Sequence, residues 1–208
     1  MNLLDTLHVT PVAETAEKIR TMEIRGAGRI ARAGAQALGD FAVSYDGETL
    51  DGFLSDLSDA KRTLLDSRPT AVSLWNGVHA TVRGAQDAST LEDAKDLVVR
   101  NAAEFCRRSE MAVEEIARIG ARRIQDGDTI LTHCNSSAAL GTIIEAHRQG
   151  KRIKVYATES RPWRQGILTV NALADAGVDV TLIIDSAVRA VMKKVDNSVT
   201  RCVHIHIP

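Results

Sequence analysis

The sequence predicts an α/β protein: a helical N-terminal domain over residues 1–125, then a Rossmann-like parallel sheet over 126–208. Three observations predict it. From Thr10 to about Ile124 apolar residues recur at helical spacing almost throughout. After the polar turn Gln125-Asp126-Gly127-Asp128, three short β-branched runs, TILTHC, RIKVYAT and VDVTLIID, alternate with helical stretches. Such alternation reads as βαβ units and a parallel sheet covered by helices. The composition, 44% hydrophobic with 3% aromatic over 208 residues, supplies a mostly aliphatic core large enough for one large domain or two small ones.

Taken in order, the first helix starts at Pro11, whose fixed φ suits a first helical position, with Thr10 as its N-cap. A second runs from about Glu48 to Leu65 and is broken at Asp66-Ser67-Arg68-Pro69, since proline disfavours helix at the residue before it. A third passes through Leu74, Val78 and Val82. The segment from Leu91 to Ile124 carries apolar residues close to a 3.6 period between charged faces, as one long amphipathic helix or two abutting ones. Cys106 falls on its apolar side and reads as a small buried hydrophobe. In the second half the helices are SSAALGTIIEAHRQG, GILTVNALADAG and SAVRAVMKKV, with Gly150 and Gly177 where helices stop and strands begin.

The formal net charge of −1, with basic residues spread rather than blocked, gives no electrostatic footprint for nucleic acid or a membrane surface. No run approaches the ~18 apolar residues of a membrane helix. The N-terminus lacks the basic start and apolar run of a signal peptide. Three widely spaced cysteines make no disulfide framework, so the expected setting is a reducing cytoplasm.

Ligands of an open parallel sheet bind beyond the carboxyl ends of its strands. One such end, His133-Cys134-Asn135-Ser136-Ser137, puts a thiol on the last strand position and two hydroxyls at the start of a helix. The free N–H groups and positive dipole end there suit a phosphate, and the same field favours thiolate over thiol. The local pattern leaves three roles open for Cys134: buried filler, metal ligand or reactive thiolate. Ser136 could equally be only an N-cap. Arg25-Gly26-Ala27-Gly28 could bring backbone close to a phosphate beside a guanidinium, although glycines in a helical stretch often mark only a close helix crossing. Arg68 is a further loop cation, and Asp185 reads as the cap of a helix starting at Ser186.

Five blocks occur in family order: RGAGRI at 25–30, RPTAVSLWN at 68–76, GDTILTHCNSSAALG at 127–141, TESRPWRQG at 158–166 and IIDSAVRAVMKKVD at 183–196. On them the chain resembles archaeal ribose-1,5-bisphosphate isomerases, relatives of methylthioribose-1-phosphate isomerase and of the regulatory subunits of translation initiation factor 2B. The resemblance runs from about residue 10 to 196. It implies conversion of ribose 1,5-bisphosphate to ribulose 1,5-bisphosphate in AMP metabolism, with Cys134 as the base. It also implies that Arg25, Gly26, Ala27, Gly28, Arg68, Ser136, Ser137 and Ala138 hold the phosphorylated pentose. Some relatives carry lysine where this chain has Ser137. The expected protein is a cytoplasmic homo-oligomer with no cofactor, no metal, no nucleic acid and no membrane partner. Two alternatives stand beside it: a non-catalytic subunit like the initiation-factor relatives, or an isomerase of the methylthioribose type.

The resemblance stops at 196. In these isomerases a G-A-D aspartate supplies the acid, whereas this chain continues NSVTRCVHIHIP. A truncated or frame-shifted reading is the expectation for this tail, with bare apolar surface and poor solubility or association as its consequence. Cys202, His204 and His206 alternate and would share one face of a strand, but three ligands from one strand make a poor tetrahedral zinc site.

Overall fold

Residues 11–200, and the backbone of 204–206, are described by a computed structural model. The expected N-cap Thr10 lies outside the described residues. Contacts divide the chain into two compact units within one long helix, after Glu110.

The first unit is helical. It contains α1 (Pro11–Arg20), α2 (Ala27–Ser44), α3 (Leu50–Ser67), α4 (Val72–Val82) and the first part of α5 (Leu91–Ala121). Thr49, in extended backbone, opens α3 by accepting the Gly52 N–H on its hydroxyl at 3.2 Å. The helix ends at Ser67 because Arg68 precedes Pro69. The buried Ser67 hydroxyl donates to the Leu64 carbonyl at 2.6 Å. At the start of α5, Thr90 accepts the Asp93 N–H while its hydroxyl donates to the Asp93 carboxylate, a reciprocal cap.

Small residues set the crossing of α2 and α4. A Cβ on Gly77 would stand 2.7 Å from the Ala31 carbonyl oxygen, and one on Gly34 would stand 2.6 Å from Leu74 Cδ1. The core around them holds Leu38, Phe53, Leu64, Leu74 and Val78, with Phe41 and Tyr45 packed on the Phe53 ring. The long stretch predicted from Leu91 is one continuous helix. Ala94, Val98, Ala102, Ala117 and Ala121 are buried, whereas Ile116 and Ile119 of its apolar pattern stay half exposed.

The second unit is α/β. Among the described residues it contains β1 (Thr129–Thr132), α6 (Ser137–Arg148), β2 (Lys154–Thr158), α7 (Gln165–Asp175), β3 (Asp179–Ile183), α8 (Val188–Val191), β4 (Asn197–Val199) and β5 (His204–His206). The sheet runs β3-β2-β1-β4-β5. β1 pairs in parallel with β2 and β4, β2 with β3, and only β5 is antiparallel, to β4. Ile130, Ile143, Ala146, Val155 and Leu173 fill the interior between strands and helices. The Rossmann-like fold class is the predicted one.

Two details differ from expectation. The helix read over SAVRAVMKKV is a single α-turn, α8, between 3₁₀ turns at Asp185–Ala187 and Met192–Lys194. The first tail residues form β4, because Asp196 exchanges hydrogen bonds with Thr129 and the buried Asn197 amide donates to Asp128 at 2.6 Å. The chain therefore leaves β1 toward β2 on one side and returns as β4 on the other. The reversal point lies at the carboxyl end of β1, where ligands of such sheets bind.

Candidate active site

β1 ends at Thr132, and the two residues beyond it turn sharply. The thiol was expected on the last strand position. Cys134 instead lies past the strand in left-handed backbone, with φ 64°. That conformation costs a non-glycine residue about 1–2 kcal/mol and persists only when its surroundings over-determine it. Here both backbone groups of Cys134 are held by side chains from the β2–α7 segment. Its N–H donates to Ser160 Oγ at 2.8 Å, and its carbonyl accepts from Thr169 Oγ1 at 2.7 Å. Thr169 Oγ1 also accepts from the Asn135 amide at 3.1 Å. The half-buried thiol lies 3.8 Å from the Gln165 side-chain amide.

Ser136 caps α6, its Oγ accepting the Ala139 N–H at 3.4 Å. The first-turn N–H groups of Ser137 and Ala138 have no preceding turn of helix to pair with, which leaves them to an anion or to water. Cys134, Ser136, Ser137 and Ala138 thus come together at one strand-to-helix junction.

Behind this junction lies a polar relay. His133 Nδ1 meets Thr158 Oγ1 at 2.6 Å, and Thr158 Oγ1 meets Ser160 Oγ at 3.2 Å. Ser160 is itself left-handed, φ 59°. The Asp185 carboxylate accepts the Ser160 N–H on Oδ1 and the Arg161 N–H on Oδ2, each at 2.9 Å. These backbone donors, Arg161 first and then Ser160, hold the Asp185 carboxyl below the usual carboxylate range. Asp185 is therefore not the expected helix cap: the 3₁₀ turn begins at Asp185, and its side chain is committed to the β2–α7 loop.

In the helical unit, Gly26 stands at the N-cap of α2 with φ 95°, and a Cβ there would meet nothing within 4 Å. Its glycine answers to backbone conformation rather than to a close helix crossing. No side chain caps α2, so Ala27 and Gly28 open an 18-residue helix with bare first-turn N–H groups. The Arg68 guanidinium reaches Met22 Sδ at 3.2 Å, three residues before the half-buried Arg25. Arg25, Gly26, Ala27, Gly28 and Arg68 accordingly belong to the helical unit, and the cysteine set to the α/β unit.

Sequence reasoning gave no role beside the thiol to Thr158, Ser160, Gln165 or Thr169, and it read Asp185 only as a helix cap. All five lie 24 to 51 residues from Cys134, and the TESRPWRQG block, which holds Thr158, Ser160 and Gln165, signalled that the β2–α7 loop mattered. Gly166 is the clearest of its signals. A Cβ there would fall 1.7 Å from the Thr158 carbonyl oxygen, so only glycine lets α7 start against the end of β2. Among the described residues, no group of three or more His, Cys, Asp or Glu is arranged to hold a metal ion, and no helix is long and apolar enough to cross a membrane. The zinc arrangement considered for Cys202, His204 and His206 rests on side chains outside the described part.

Residues 23–200 match the model of the initiation factor 2 subunit family. A ribose 1,5-bisphosphate isomerase of Methanocaldococcus jannaschii is 49% identical over 185 residues, 89% of this chain and 59% of that protein. Among solved structures, the translation initiation factor eIF-2B subunit delta from A. fulgidus superposes with a TM-score of 0.76 at 34% identity, over 91% of this chain and 59% of that one. The 5-methylthioribose 1-phosphate isomerase from Pyrococcus horikoshii OT3 does so with a TM-score of 0.79 at 30% identity, over 91% and 56%. The chain thus spans about three-fifths of the length of the curated relative it matches.

Proposed function

The chain belongs to the initiation factor 2 subunit family, and from that premise we propose that it is a ribose-1,5-bisphosphate isomerase in which Cys134 is the base. The observation that carries this reading is the placement of Cys134 at the carboxyl end of β1, in held left-handed backbone beside the start of α6. The M. jannaschii relative's name supports the substrate.

The chemistry asks for such a thiol. With C1 phosphorylated the sugar ring cannot open as a free hemiacetal, so an acid protonates the ring oxygen as its bond to C1 breaks. A base takes the proton from C2, leaving an enol across C1 and C2. Return of a proton to C1 and loss of the C2 hydroxyl proton give the ketone. Atoms balance, and neither oxidant nor cofactor is required. A thiolate close to a positive helix end is a suitable base. In the proposed site Ser136, Ser137 and Ala138 at the start of α6, and Arg25, Gly26, Ala27, Gly28 and Arg68 in the helical unit, bind the phosphorylated pentose through helix N–H groups and guanidinium charge.

We take the protein to be cytoplasmic and homo-oligomeric, without nucleic-acid or membrane partners. Cys134→Ser is expected to abolish conversion to ribulose 1,5-bisphosphate while leaving substrate binding within about threefold, the pattern of an interaction made in the transition state. Equal turnover by the variant contradicts the assignment of the base.

One observation favours a second reading. The chain also superposes on the eIF-2B subunit delta with a TM-score of 0.76 at 34% identity, and a subunit without catalysis would bind a sugar phosphate and leave it unchanged. Turnover separates the two. Preference for methylthioribose 1-phosphate over ribose 1,5-bisphosphate would instead mark the methylthioribose type.

A further inference from the structure

We propose that Asp185 is a positioning residue for Cys134, acting through Ser160: its carboxylate fixes the Ser160 backbone, and the Ser160 hydroxyl then holds the Cys134 N–H. This inference rests on the reading of Cys134 as the base.

The chain of contacts is short and directional. Asp185 follows β3, and its two oxygens accept two consecutive N–H groups, of Ser160 and Arg161, each at 2.9 Å. A carboxylate spanning two adjacent backbone donors fixes the orientation of the peptide between them. That fixes where Ser160 Oγ stands. This atom accepts the Cys134 N–H at 2.8 Å and meets Thr158 Oγ1 at 3.2 Å and His133 Nδ1 at 3.4 Å. Cys134 and Ser160 are both non-glycine residues in left-handed backbone, at φ 64° and 59°. Neither side chain favours that region by itself, so each depends on its partners to stay there. One hydrogen bond links the two, and Asp185 anchors its far end.

Two features separate this from ordinary loop bracing. Asp185 sits at the end of β3, two strands away from β1 in the sheet, so the link runs across the carboxyl edge rather than along one element. It also terminates on the backbone of the residue bearing the thiol. Thr169 holds the Cys134 carbonyl independently, so loss of Asp185 should loosen one of two tethers and leave the fold standing.

The test uses the whole chain and iodoacetamide, with Cys134 and Cys106 read separately by peptide mass. Cys106 lies in the helical unit and reports global loosening in the same molecule. In Asp185→Ala the Cys134-to-Cys106 alkylation ratio is expected to fall about tenfold, as the thiol leaves the position in which its held backbone presents it. With ribose 1,5-bisphosphate, kcat should fall by a similar factor while KM moves less than about threefold. Ser160→Ala, which leaves the Asp185 carboxylate on both N–H groups and removes the acceptor for Cys134 together with the contacts to Thr158 and His133, should reproduce both effects and stands in if Asp185→Ala does not fold. A folded variant whose ratio is unchanged or raised overturns the proposal. Failure of the parent reading looks different: Cys134→Ser would turn substrate over normally, while the alkylation ratio would still report the link from Asp185.

Discussion

In the α/β unit Cys134, Ser160 and Arg164 are non-glycine residues in left-handed backbone, and the neighbouring Gly166 shows how little freedom the surroundings have. The Gly166 N–H donates to the Glu159 carbonyl at 3.1 Å, and a methyl group in place of its hydrogen would meet the Thr158 carbonyl oxygen at 1.7 Å. Backbone on both sides cannot yield without moving β2 against α7. Gly166→Ala is therefore expected to destabilise the protein by about 3 kcal/mol or more, as an overpacked backbone contact does. A thermal melt matching the parent protein would contradict this. At this scale the sequence announced the thiol, because a strand run ending in His-Cys before small polar residues marks a strand-to-helix junction. It did not announce the left-handed φ. Cysteine carries no local code for it, and its causes, Ser160 and Thr169, are 26 and 35 residues away.

The βα alternation was legible at the scale of elements, since period and β-branching differ clearly between SSAALGTIIEAHRQG and RIKVYAT. The 18-residue α2 was not separated from the helical stretch around it, and the helix read over SAVRAVMKKV shrinks to the four residues of α8. β4, three residues long, is fixed by partners in and before β1 rather than by its own apolar pattern. A similar long-range tie joins the turn before β1 to the approach to β2. Asp126 Oδ1 accepts the Arg152 N–H at 2.7 Å, and Oδ2 accepts its guanidinium at 2.7 Å. The guanidinium, and then the backbone N–H, lower the Asp126 carboxyl to about 2. A carboxyl depressed on folding adds stability above its unfolded value and loses it as pH falls through the folded one. The stability difference between the parent chain and Asp126→Asn should therefore be present at neutral pH and shrink between about pH 4 and about pH 2. The pair is exposed, so the difference will be small and salt-sensitive. A gap in melting temperature that persists undiminished at pH 2 would count against the assignment.

For the molecule as a whole, the helical unit presents Gly26, Ala27 and Gly28 at the uncapped start of α2, and the α/β unit presents Cys134 with Ser136, Ser137 and Ala138 at the start of α6. Composition and charge spoke only to class. The proposed substrate came from the resemblance carried by blocks at 25–30, 68–76, 127–141, 158–166 and 183–196. The relatives fix the family, and the proposed activity rests on a chain that spans 59% of the M. jannaschii isomerase. The most direct test is to mix this chain with ribose 1,5-bisphosphate and follow the sugar phosphates by NMR. The account predicts ribulose 1,5-bisphosphate from the parent chain and none from Cys134→Ser, which still binds. Substrate bound and left unchanged by the parent chain, or converted equally by both, would contradict it.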